Sequence, residues 1–145
     1  MAVALIGGLP GPAIELGLGN GRTYDHLRER LPGREIFVFD RQLAAHPGSR
    51  PDEDHLFLGD FLETLPIALA RLGPAVALAH ADIGSGDEAA SAALAAALAP
   101  LIDRLMAPGG IVLGDQVMER DGWVALDPPS GIAPERYRIY RVGGG

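Results

Sequence analysis

Short apolar runs alternate with helical stretches along this chain until the last two runs, which no helix separates. Parallel neighbours in a sheet need a crossover, normally a helix, whereas antiparallel neighbours can be joined by a short loop. The runs therefore predict parallel strands at Ala13–Leu16, Ile36–Phe39, His55–Leu58, Val76–Ala81 and Ile111–Leu113, then an antiparallel pair at Trp123–Leu126 and Arg136–Val142, joined by the loop Asp127–Glu135. Ile36-Phe37-Val38-Phe39 is continuously apolar, as a strand covered on both faces should be. The expected fold class is α/β: a Rossmann-like seven-stranded sheet, mostly parallel, with a C-terminal antiparallel hairpin and helices on both faces.

Punctuation residues set the helices between these strands. A helix from about Thr23 to Leu31 stops at Pro32-Gly33, one from Phe61 to Leu72 stops at Gly73-Pro74, and an alanine-rich one from about Asp87 to Met106 is expected to kink at Pro100. Pro108-Gly109-Gly110 is expected to turn the chain into strand five, and His46–Asp54 to form a loop. With 145 residues, 48% of them hydrophobic, and neither repeat nor linker, residues 1–145 are read as one domain.

Several function classes fall away on composition. The chain has no cysteine, so thiol nucleophiles, thiolate metal sites and disulfides are excluded. The apolar N-terminal stretch is too short for a secretory signal, and Ala89–Met106 is interrupted by Ser91, Pro100, Asp103 and Arg104, which argues against a membrane span. A cytoplasmic protein is expected. A net charge of −7 disfavours nucleic acid as a partner and suits a ligand carrying positive charge.

The most informative segment is Glu15-Leu16-Gly17-Leu18-Gly19-Asn20-Gly21, where strand one gives way to its helix. Alternating glycines let the backbone adopt positive φ and approach a ligand lying across the strand end. A dinucleotide fingerprint would place its third glycine where Arg22 stands. The order acidic-x-G-x-G-x-G instead resembles motif I of class I S-adenosylmethionine-dependent methyltransferases. That resemblance implies a cofactor with a sulfonium and a cationic amino group, the latter suited to Glu15, and makes Gly17, Gly19, Asn20 and Gly21 its cradle.

Neighbouring features extend the resemblance from Ala13 to Leu113 and on to the final hairpin. Asp40 ends strand two, where a carboxylate can accept both ribose hydroxyls; capping a loop is the alternative. Gly59-Asp60-Phe61 resembles the family's adenine-binding motif, which implies Asp60 near the adenine amino group and Phe61 beside the ring. Asp60 also suits the N-cap of the following helix, and the two roles can coexist. Leu105–Gly110 resembles the family's turn before strand five.

Methyl transfer from a sulfonium requires an acceptor held at the methyl carbon and management of its proton. Asp82, ending strand four in the ligand crevice, is the first candidate for that catalytic role and also a candidate cofactor contact. Asp82 with Asp115 and Gln116 would offer oxygen ligands to a divalent metal, as in catechol-type O-methyltransferases, although those carry Asn where Gln116 stands. The alternative for Asp82 and Asp115 is hydrogen bonding to loop amides or to the cofactor. His80 is expected to be a buried, hydrogen-bonded histidine, with a base as the alternative, and Trp123, Tyr137 and Tyr140 to pack a sheet face. Arg22 is a candidate for the cofactor carboxylate, against a solvent-facing role.

The functional expectation is methyl transfer from S-adenosyl-L-methionine to a small-molecule acceptor, with O-methylation in view. Two alternatives stay open, an NAD-dependent oxidoreductase-type domain and a non-catalytic S-adenosylmethionine-binding module. Only a dozen residues precede Ala13, so the acceptor is small, a second subunit covers the site in a homodimer, which is the preferred reading, or a substrate-binding part is absent.

Overall fold

A computed structural model describes residues 5–17, 22–41, 48, 51–118, 120–127 and 138–143. Its strands are β1 (Ala13–Leu16), β2 (Ile36–Asp40), β3 (Leu56–Leu58), β4 (Val76–Ala81), β5 (Met106–Gly114), β6 (Trp123–Leu126) and β7 (Arg138–Val142), and its helices α1 (Arg22–Arg30), α2 (Phe61–Leu72) and α3 (Glu88–Leu105). The strands form one sheet in the order β3-β2-β1-β4-β5-β7-β6. Pairing is parallel from β3 to β5 and antiparallel for β5–β7 and β7–β6. The Rossmann-like sheet with its antiparallel end is thus present as expected.

Strand side chains alternate between two cores, one on each face. Ile36 and Val38 pack with Tyr24 and Leu27 of α1, while Phe37 and Phe39 join Leu65 and Ala68 of α2 and Leu98 and Ile102 of α3. Helices accordingly cover both faces. Phe39 stacks on Phe57 at 4.6 Å, fixing β2 against β3 on the α2 side. At about 25 cal/mol per Å² of apolar surface, these fully buried rings and aliphatic chains are the main source of stability.

Two local expectations are corrected. His55 is the last residue of a single 3₁₀ turn, Glu53–His55, because Asp52 Oδ1 accepts both its backbone N–H and its ring nitrogen, and β3 begins only at Leu56. Pro108-Gly109-Gly110 lies within β5, which starts at Met106 opposite Val76; the register then jumps so that Leu78 faces Ile111, with the extra residues bulging through Gly109 at φ +81°. Helix α3 runs unbroken through Pro100. Residues 136 and 137 of the expected last strand lie outside the described residues.

The terminal aromatics do pack the sheet. Trp123 and Tyr140 lie 5.6 Å apart, Trp123 Nε1 donates to Asp103 of α3, and the Tyr140 hydroxyl accepts the Met118 N–H. Tyr137 lies outside the described residues. Among the described residues no helix is long and apolar enough to cross a membrane.

Candidate active site

The parallel strands all end on one edge of the sheet, and there a cleft of about 350 Å³ opens between β1, β2 and β4. Gly17, Asp40, Phe61, Asp82, Gly84 and Ser91 are among its walls. The chain steps from β1 to β2 on one side and reaches β4 on the other, so the cleft sits at the point where the strand order reverses, the usual ligand position in open α/β sheets. Gly17, Asp40, Phe61 and Asp82, singled out from sequence, are brought together. Gly19, Asn20 and Gly21 lie outside the described residues, as does the side chain of Arg22.

Gly17 has a reason of its own to be glycine. Its φ is +91°, and a Cβ there would lie 2.4 Å from the Asp82 carbonyl oxygen. Gly17 N–H donates to Phe39 O and Asp82 N–H to Leu16 O, so three strand ends meet at this residue. Close backbone approach within the protein, and not only to a ligand, therefore demands the missing side chain.

Behind the cleft, Glu15 is buried on the α1 face, flanked in register by Val38 and His80. Neither carboxyl oxygen has a hydrogen-bond partner among the described residues. Burial pushes its pKa up to about 8, and the charges of Asp82, Asp40 and Asp25 add to the rise. An isolated buried carboxyl beside a ligand cleft is suited to a cation. His80, also buried, is pushed towards its neutral form by burial, which Asp115 opposes; its burial is as expected.

On the β2 and β3 side, Asp40 Oδ1 accepts the Arg41 N–H. Asp60 caps α2, its carboxylate accepting the Leu62 N–H, and presents Phe61 to the cleft. The capping role of Asp60 is therefore realised, while Asp60 itself is not among the cleft's lining residues.

On the β4 side, Asp82 is exposed to the cleft, and its proton affinity is raised by desolvation, then by the charge of Asp115 and a hydrogen bond with it. Asp115 accepts the Ile83 N–H at 3.2 Å and the Gly84 N–H at 2.8 Å, one on each carboxyl oxygen. This is the loop-amide alternative for Asp115, with each of its carboxyl oxygens facing a backbone amide. Among the described residues, no three carboxylate or histidine side chains gather as a metal site. Ser91 was missed from sequence. It is buried, accepts the Ser85 N–H at 2.8 Å and donates to Asp87 O at 2.9 Å. The Gly84-Ser85-Gly86 loop was legible in the sequence, but its tether one turn into α3 was not.

A family model described as S-adenosyl-L-methionine methyltransferase matches residues 1–142. The chain belongs to the S-adenosyl-L-methionine methyltransferases. A solved S-adenosyl-L-methionine methyltransferase from Silicibacter pomeroyi DSS-3 is 46% identical, with a TM-score of 0.94 over 98% of this chain and 87% of that one. More remote structures share the fold alone. The antibiotic-resistance methyltransferase Kmr is 16% identical (TM-score 0.59, covering 98% of this chain and 91% of that one). The Methanococcus jannaschii fibrillarin pre-rRNA processing protein is 12% identical (TM-score 0.62, covering 100% and 70%). No curated protein matches the chain. This methyltransferase is an enzyme whose cofactor is S-adenosyl-L-methionine, which sets the NAD-dependent and non-catalytic alternatives aside.

Proposed function

We propose that this methyltransferase, acting as a single domain of residues 1–145 in the cytoplasm, transfers the methyl group to the oxygen of a small-molecule acceptor bound at the open side of the cleft. The observation that supports the reading is the balance of charge there: Asp40 and Asp82 line the cleft against the cation Arg41, Asp115 stands behind Asp82, and the whole chain carries −7. A phosphate backbone brought to this edge would meet carboxylates. The rRNA-directed neighbours are related by fold, which does not carry the acceptor with it.

In this reading Asp40 accepts the ribose hydroxyls, the family resemblance of Gly17, Gly19, Asn20 and Gly21 makes them the cofactor's cradle, and the resemblance of Gly59-Asp60-Phe61 assigns Asp60 and Phe61 to its adenine. Glu15 supplies a negative charge for its amino group. Bound S-adenosylmethionine supplies an electrophilic methyl carbon whose carbon–sulfur bonding pair leaves with sulfur. Asp82, with its proton affinity raised by partial desolvation and Asp115, takes the acceptor hydroxyl's proton as the new carbon–oxygen bond forms and passes it to water. The cleft, at about 350 Å³, lies at the small end of the roughly 300–1,000 Å³ typical of ligand sites, so the cofactor occupies most of it and the acceptor lies at its mouth, which a second subunit would cover.

The test is S-adenosylhomocysteine formation with a panel of hydroxyl-bearing small molecules and, in parallel, with ribosomal RNA. Turnover on a small hydroxyl compound, lost in Asp82→Asn, is expected. Turnover on RNA alone would overturn the acceptor class.

A further inference from the structure

The loop between β4 and α3 forms the cleft wall at Asp82, Ile83, Gly84 and Ser85, and other parts of the chain hold it from three sides. Gly17 packs its backbone against the Asp82 carbonyl. Ser91, in the first turn of α3, takes the Ser85 N–H. From the end of β5, Asp115 takes the Ile83 and Gly84 N–H groups, and its own N–H is tied to Ala81 O at 3.2 Å. We propose that Asp115 is a positioning residue for the cofactor, using both carboxyl oxygens to hold the Ile83–Gly84 backbone in the shape of the cleft wall, and that it does not ligate a metal. The inference rests on the reading of this cleft as the cofactor site.

Gly84 shows the same contact from the side of the loop. Its backbone angles would admit other residues, yet a Cβ there would lie 2.4 Å from Asp115 Oδ2 and 2.9 Å from Gln116 Nε2. No real side chain tolerates such distances, so a residue other than glycine would push the β5-end side chains off the loop. Asp115, Gln116 and Gly84 thus form one closed contact between neighbouring strand ends. A carboxylate bonded to two amides is stronger than a neutral acceptor in the same place, which suits a clasp that must hold while ligands enter and leave. Asp115 does not itself line the cleft: it acts on it through the Ile83 and Gly84 amides and through the neighbouring Asp82 carboxyl.

The experiment is calorimetric titration of S-adenosylhomocysteine into wild type, Asp115→Ala, Asp115→Asn, Gly84→Ala and the Asp115→Ala/Gly84→Ala double variant, each with Mg²⁺ and with EDTA. Wild-type binding establishes the cofactor site by itself, so its absence would refute that reading, not the clasp. With wild type binding, Asp115→Ala is expected to weaken affinity about tenfold. Asp115→Asn, which keeps one acceptor oxygen, should recover part of that loss. Gly84→Ala should match Asp115→Ala, and the double variant should be no weaker than either single one, because both open the same contact. Asp115→Asn and Gly84→Ala keep the question answerable should Asp115→Ala not fold. Undiminished affinity in Asp115→Asn and Gly84→Ala would overturn the proposal. So would an Mg²⁺-dependent gain in wild-type affinity that Asp115→Asn abolishes, which would make Asp115 a metal ligand.

Discussion

Replacing Glu15 with Gln should make the ligand-free protein more stable at neutral and alkaline pH. The side chain is 1% exposed, and its pKa is raised from 4.5 to about 8. The folded chain therefore holds this proton more tightly than the unfolded chain. Its contribution is fully favourable below about pH 4.5 and is lost as pH rises, until the folded group itself ionises near 8. On that difference the carboxyl costs the fold about 3 kcal/mol at pH 7 and about 5 kcal/mol by pH 9 relative to pH 4. Gln is nearly isosteric and does not ionise, so the variant should match wild type at pH 4 and exceed it by about those amounts at pH 7 and 9. Urea unfolding at closely spaced pH values reads this directly, and against a typical total of about 5–15 kcal/mol the difference is large. Wild-type and variant stabilities that stay parallel from pH 5 to 9 would refute the reasoning, showing that the fold accepts this ionised carboxylate as readily as water does. With the cofactor's cationic amino group bound, the same carboxyl should lose its proton, so the variant that gains stability should lose affinity.

Asp40→Ala is expected to weaken S-adenosylhomocysteine binding about 10- to 100-fold, the worth of one or two hydrogen bonds to a charged acceptor, without moving the unfolding midpoint; unchanged affinity in calorimetry would remove Asp40 from the ribose site. Gly17→Ala should cost about 2 kcal/mol or more in urea unfolding, because φ is +91° and the new Cβ meets the Asp82 carbonyl, and a loss under about 0.5 kcal/mol would contradict that contact. His55 is held between Asp52 at 2.7 Å and Glu35 at 2.9 Å, and hydrogen bonding to Asp52, ahead of Glu35, raises its pKa. Stability from this clasp is present below the ordinary imidazole pKa and is lost as pH climbs through the raised one. His55→Asn should flatten that part of the pH–stability curve, and a curve of unchanged shape would rule the clasp out.

What was legible in the sequence was legible for local reasons. Ile36–Phe39 is an uninterrupted apolar run and Val76–Ala81 is apolar but for His80, as suits strands covered on both faces, and the missing crossover before the last strand pointed to its antiparallel pairing. Asp40 and Asp82 could be placed at the cleft because each ends such a run. Illegible features were those that depend on which strands become neighbours. Asp115 meets the Ile83 and Gly84 amides only because β4 and β5 pair, a contact that no local pattern in the sequence announces. Gly17 was explained by a ligand, whereas the Asp82 carbonyl already requires it. The bulge at Gly109 carries a strand through a Pro-Gly-Gly sequence that reads as a turn, because β4 supplies the partner on both sides of the irregularity.

Strand β7, the last in sequence, lies between β5 and β6, and β6 has no other neighbour in the sheet. During synthesis, β1 to β5 with their helices can assemble as the chain emerges, but β6 must wait beside an unpaired β5 edge until residues 138–142 leave the ribosome. Until then that edge is a template for strands from other chains. A premature stop between Gly114 and Arg138 would therefore release β1 to β5 with the β5 edge uncovered, placing an aggregation hazard of this fold in the interval before β7 is made.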